Sequence, residues 1–242
     1  MAAVRWVRRR PAITTASPSP LRRTQFYVVF LLVELAGLLA LRGLQLHPFL
    51  TPLLYLSLPG LVVFYGSSLL AHNRSVRLLG LLWLLTAVSE AAWFVNQWLE
   101  LNLLTPHLAL VRLGLWLALM LFLQWRIVLG LVRERRYSPA VVMGAAAGYL
   151  MLGYTGGISL TVVYDLDPSA FLLPPPSPGQ LGGLIYAPHL LATSFSALTT
   201  LGTPVLNPAN LAGQTVTLLI SALGQLYVAI LIASVLGKVR DS

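Results

Sequence analysis

The chain has 242 residues, 57% of them hydrophobic and 10% charged, with a formal net charge of +9 and no cysteine. A water-soluble domain carries about 25% charged residues, so this composition excludes one and points to an integral membrane protein. Without cysteine there is no disulfide, thiolate chemistry or thiolate metal site. The positive charge lies mostly in short segments between apolar runs, where it sets topology rather than binding nucleic acid.

In chain order, residues 1–25 hold six arginines and no acidic residue. They are expected to form a basic cytoplasmic arm, with a transit peptide as the alternative because such segments are Arg-rich and acid-poor. The apolar runs that follow are about 20 residues or longer, the helical length for a ~30 Å hydrocarbon layer. Lipid admits only helices or closed barrels, and runs of this length exclude barrel strands. The expected fold is therefore all-α and integral to the membrane, with six transmembrane helices. They are placed at Phe26 to Leu46, Thr51 to Ala71, Leu78 to Trp98, Ala109 to Val132, Pro139 to Val163 and Leu211 to Leu236.

A shorter apolar piece, Pro188 to Leu201, is too short to cross and is expected to be a re-entrant helix. Residues 26–136 then form a four-helix membrane domain. Residues 137–242 form a module of outer helix, external turret, short helix, Thr-rich turn and inner helix. With the N-terminus inside, thirteen Arg and Lys fall on inner segments and only Arg42 on an outer one. This positive-inside bias supports an even number of spans with both termini cytoplasmic.

The order span, external loop, short helix, Thr-rich turn, span is that of an ion-conducting pore. Backbone carbonyls can stand at membrane depth only where they line a water- or ion-filled path. A re-entrant helix ending mid-membrane turns its negative dipole end towards a cation. The stretch Phe195-Ser-Ala-Leu-Thr-Thr-Leu-Gly202 resembles the pore-helix and filter entrance of prokaryotic potassium channels with a two-transmembrane pore module. Leu223-Gly-Gln-Leu-Tyr-Val-Ala-Ile-Leu-Ile-Ala233 is similar to their inner helix.

The resemblance covers about residues 188–238. It implies a voltage-gated-channel-like layout, a homotetramer in the inner (plasma) membrane and a transported monovalent cation, K⁺ or Na⁺. No other cofactor or metal is implied. The filter residues would be Thr199, Thr200, Leu201, Gly202, Thr203 and Pro204, with the carbonyls of Thr200, Leu201 and Gly202 as the inner rings. Gly224 takes the family's inner-helix hinge position, and close helix packing is the alternative use of a glycine there.

The sequence departs from the family at three places: Thr203 replaces its Tyr, Pro204 its second Gly and Val205 its Asp. Proline has a fixed φ and no N–H, so it does not copy a filter glycine. The expected outcome is weak discrimination among monovalent cations, or a non-conducting protein of the channel fold that acts as a scaffold or regulatory subunit. Arg112 and Arg126 stand fourteen residues apart, too sparse for a voltage sensor with a basic residue every third position. Asn207 is expected to cap the turn into the last span or to stand at the outer mouth.

Glu34, Glu90 and Arg126 are intramembrane charges. They are expected to pair, since an isolated charge in lipid costs several kcal/mol. Asp165 and Asp167 are placed in the external turret, as solvated carboxylates or as collectors of cations. Gly144-Ala-Ala-Ala-Gly148 is a small-residue stripe for close helix packing. The four histidines, His47, His72, His107 and His189, are scattered, and no serine has a base in range, so an enzyme is not expected.

Overall fold

The computed structural model describes residues 20–47, 50–66, 73–99, 105–133, 139–174, 182–203 and 205–240. Among the described residues the protein is all-helical with no strand. The helices are α1 (Pro20–Leu39), α2 (Leu41–Leu46), α3 (Leu50–Gly66), α4 (Asn73–Trp98), α5 (Thr105–Arg133), α6 (Pro139–Leu166), α7 (Gly182–Leu198) and α8 (Leu211–Arg240). A single 3-10 turn, Pro168–Ala170, follows α6.

Four helices are long and apolar enough to cross a membrane, through Ser75–Asn96, Val111–Leu131, Val141–Leu166 and Leu211–Leu231. The first two expected spans contain shorter apolar helices, Thr24–Leu39 and Leu50–Phe64. The first is divided at Ala40 (φ −82°, ψ 0°), although the bonds Ala40 N–H to Ala36 O and Leu44 N–H to Ala40 O, both 2.9 Å, bridge the division. The end of the expected second span, beyond Gly66, lies outside the described residues.

Helix α6 is the axis of the bundle and packs against α1, α5, α7 and α8. Its small residues make this possible. A Cβ on Gly144 would stand 2.9 Å from Leu131 and 3.0 Å from Tyr27, and one on Gly148 would collide with the Tyr227 hydroxyl. The Gly144–Gly148 stripe is thus filled by large side chains from α1, α5 and α8. Further along, Gly153 receives the Phe195 ring, and Gly157 lies under Leu191, whose Cα would be 3.1 Å from an added Cβ.

The core has two parts joined through α6 and α7. The larger gathers Phe30, Tyr55, Leu58, Trp116, Leu119, Met120, Leu123, Met151 and Tyr154. The smaller lies under the segments that follow α6 and α7, with Leu160, Tyr164, Phe171, Leu190, Leu198 and Ile220. Tyr164 is only 3% exposed. Its ring is tilted against Phe171 and edge-on to Tyr186.

Candidate functional site

Helix α7 is fixed between α6 and α8 by hydrogen bonds that run in both directions. Ser194 Oγ, fully buried, donates to Gly153 O at 2.7 Å. At the C-terminal end, Tyr149 OH from α6 donates to Leu198 O at 3.2 Å, and Ser221 Oγ from α8 donates to Ala197 O at 2.7 Å. Gly224 lies in the same contact: a Cβ there would be 2.6 Å from Leu198 Cδ1 and 3.2 Å from its carbonyl oxygen. Within an unbroken α8, this glycine is what lets the helix approach the end of α7.

The helix closes in a Schellman motif. Leu201 N–H bonds Ser196 O at 2.8 Å and Thr200 N–H bonds Ala197 O at 3.1 Å, the paired 6→1 and 5→2 bonds of that cap. The motif requires a left-handed residue, and here it is Thr200, with φ 59°. A β-branched residue in this region is strained, by about 1–2 kcal/mol. Thr199 Oγ1 returns to Phe195 O at 2.8 Å. The last carbonyls of α7, from Phe195 to Leu198, therefore all have donors.

The next four do not. Among the described residues, no donor reaches the carbonyl of Thr199, Thr200, Leu201 or Gly202. All four residues are exposed, with Leu201 at 83%. Gly202 has φ 102°, and a Cβ there would meet nothing within 4 Å. Here the glycine serves backbone conformation and not close packing. Thr203 O accepts from Leu206 N–H at 3.2 Å. Pro204 lies outside the described residues.

Beyond the turn, the chain is clasped to the segment that leaves α6. Phe171 and Leu206 form an isolated antiparallel bridge. Leu172 N–H bonds Val205 O at 2.7 Å, and Asn207 N–H bonds Ala170 O at 3.0 Å. Asn207 Oδ1 accepts from Ala209 N–H, while its Nδ2 donates to Ser169 O. It thus shapes the turn towards α8, but the residue that caps α8 is Asn210, whose Oδ1 accepts from Ala212 N–H at 2.9 Å. Asn210 Nδ2 also donates to Asp167 Oδ2 at 2.7 Å. Asp167 takes further bonds from Ser169 Oγ and Ser169 N–H. These donors, Ser169 and then Asn210, hold its carboxyl below the usual carboxylate range.

The intramembrane charges are arranged differently from the expected Glu34, Glu90 and Arg126 pairing. Glu90 pairs with Arg112, Nη1 to Oε1 at 3.3 Å, both side chains buried. Trp116 Nε1 donates to Glu90 Oε2 at 2.9 Å. The other arm of Arg112 meets Asp165 Oδ2 at 3.4 Å, and its guanidinium lies 4.8 Å from the centre of the Trp93 ring. Asp165 is therefore in the last turn of α6 and not in a loop, because α6 runs three residues beyond the expected Val163. Both oxygens of Glu34 and the Arg126 Nε are buried without a hydrogen-bond partner among the described residues.

Compared with protein-family models, curated proteins and solved structures, the chain matches none.

Proposed function

We propose that the chain is one subunit of a potassium-channel-like monovalent cation channel, with six spans and a re-entrant α7, and with the pore made by four copies. The observation that carries this reading is the run of four carbonyls, Thr199 to Gly202, that have no donor. They follow directly on a helix C-terminus, whose partial negative charge favours a cation. Unpaired carbonyls at membrane depth are tolerated where they face ions or water.

Helix α8 supports the same reading. Thr215, Ala222 and Gln225 are exposed on the single chain. A mid-helix glutamine without a hydrogen-bond partner among the described residues suits a water-filled path or a neighbouring subunit better than lipid. Arg112 supports weak or absent voltage dependence, since its charge is committed to Glu90 and Asp165. The reading places the protein in a prokaryotic inner membrane with both termini cytoplasmic.

Reconstitution into liposomes tests it. The expected result is cation flux with little discrimination between K⁺ and Na⁺. Gly202→Ala meets no neighbouring atom, so it acts only through backbone conformation, and it should abolish flux while leaving the tetramer intact. A monomer overturns the reading. A folded tetramer without flux replaces it by a scaffold or regulatory subunit of channel fold, the alternative that Pro204 favours.

A further inference from the structure

Glu34 stands on α1 with no exposed surface, inside the larger core, and takes part in neither of the ion pairs described above. Neither carboxyl oxygen has a partner among the described residues. Its backbone is held firmly: Tyr154 OH on α6 donates to Glu34 O at 2.6 Å. One turn on, a Cβ at Gly37 would collide with the same hydroxyl and stand 2.8 Å from Leu54 on α3. The side chain is therefore in the core because α1 is locked there, not because a cation draws it in.

Among the described residues, the titratable groups that interact with it are phenols. Tyr154 comes from α6 and Tyr227 from α8, both within electrostatic reach of the carboxyl. Tyr55 on α3 stands edge-on behind Tyr154, and Tyr27 lies on α1 itself. Arg42 on α2 is exposed, and Arg126 on α5 gives neither oxygen a hydrogen bond. Tyr227 closes the far side of this region, with its hydroxyl donated to Ala145 O at 2.9 Å. Gln124 on α5 donates to Gly148 O at 3.1 Å and leaves its own oxygen buried and unpaired.

We infer that Glu34 is a proton-binding site inside the bundle, holding a carboxylic acid at neutral pH and releasing its proton to water only when the α1–α6–α8 junction loosens. A buried carboxylate with no counter-charge is disfavoured far more than the neutral acid. The acid also supplies one donor, which a carboxylate lacks. Tyr227 links the site to α8, so uptake and release of the proton bear on the helix that the channel reading places at the pore. The site itself does not depend on that reading.

Infrared spectroscopy of the purified chain in lipid tests the site without any flux measurement. A protonated-carboxyl band is expected at neutral pH, lost completely in Glu34→Gln, which keeps size and neutrality. Thermal stability should fall as pH is raised in the wild type and change less in Glu34→Gln. Absence of the band at neutral pH, or its persistence in the variant, overturns the inference. Should Glu34→Gln not fold, ¹³C-glutamate labelling of the wild-type chain decides: a band that does not shift overturns it. If the band is present but flux is absent, the channel reading fails and the proton site stands.

Discussion

Helices α6 and α8 are alike as sequences and opposite as structures. Both are long, apolar and able to cross a membrane, yet 67% of the spanning window of α6 is buried and only 17% of that of α8. The difference lies in where the small residues fall. In α6 they fall around the helix, and Tyr27, Tyr227, Phe195 and Leu191 press into Gly144, Gly148, Gly153 and Gly157. In α8 the buried positions form one stripe, Gly213, Thr217, Ile220 and Gly224, while Leu218, Leu219, Leu223, Leu226 and Ile230 face outwards. One helix is the inside of a protomer. The other is the side it offers to lipid or to further copies.

The sharpest test of that contrast is at the C-terminal end of α6. Arg112→Ala leaves Glu90 buried without its counter-charge and removes one ion pair from Asp165. A loss of about 3–5 kcal/mol is expected, read as thermal unfolding in detergent. Next, Gly157→Val on α6 forces a methyl against the Leu191 backbone, which should cost about 1–3 kcal/mol. Tyr154→Phe removes the donor to Glu34 O and should cost about 1 kcal/mol.

Leu219→Ala on α8 should leave protomer stability within about 0.5 kcal/mol, with any effect confined to oligomer size on a sizing column. A loss at Leu219 as large as that at Gly157 would break the comparison. The smallest effect concerns the clasp at the two helix ends. Asp167 is held below its ordinary value, so its contribution is present above that value and lost as pH falls through the folded one. Amide exchange at Leu172 and Asn207 should therefore quicken only on strong acidification, and Asn210→Ala should weaken that dependence while the Ser169 bonds keep part of it.

Helix type and most boundaries were legible in the sequence, because long apolar runs leave little choice of structure in a membrane. Helices α4, α5, α6 and α8 fall within a few residues of their expected ends, apart from early starts of α4 and α5 and a late end of α8. Helix α7 begins six residues earlier than expected and ends three earlier: Gly182 to Ala187 belong to the helix, and its end is fixed by the Schellman bonds.

What was not legible was partnership across helices. Arg126 looked like the partner of Glu90 when depth was judged one helix at a time. Counting from the α4–α5 connection would have found Arg112: Glu90 is eight residues before the end of α4, and Arg112 is seven after the start of α5. At the candidate filter, Thr200 and Gly202 were legible as residues. The left-handed backbone at Thr200 was not, since threonine rarely adopts it.

The Arg112 triad also bears on how the chain is made. Synthesis delivers Glu90 first, then Arg112, and Asp165 only after another 53 residues. An arginine entering the bilayer alone is opposed, whereas α4 and α5 entering as a hairpin carry a pair that is already neutral. The second carboxylate then arrives with the last turn of α6 and draws that helix onto a hairpin that is already in place. The order of the charges along the chain thus fits an order of assembly in which the α4–α5 hairpin is made before α6 brings the second carboxylate to it.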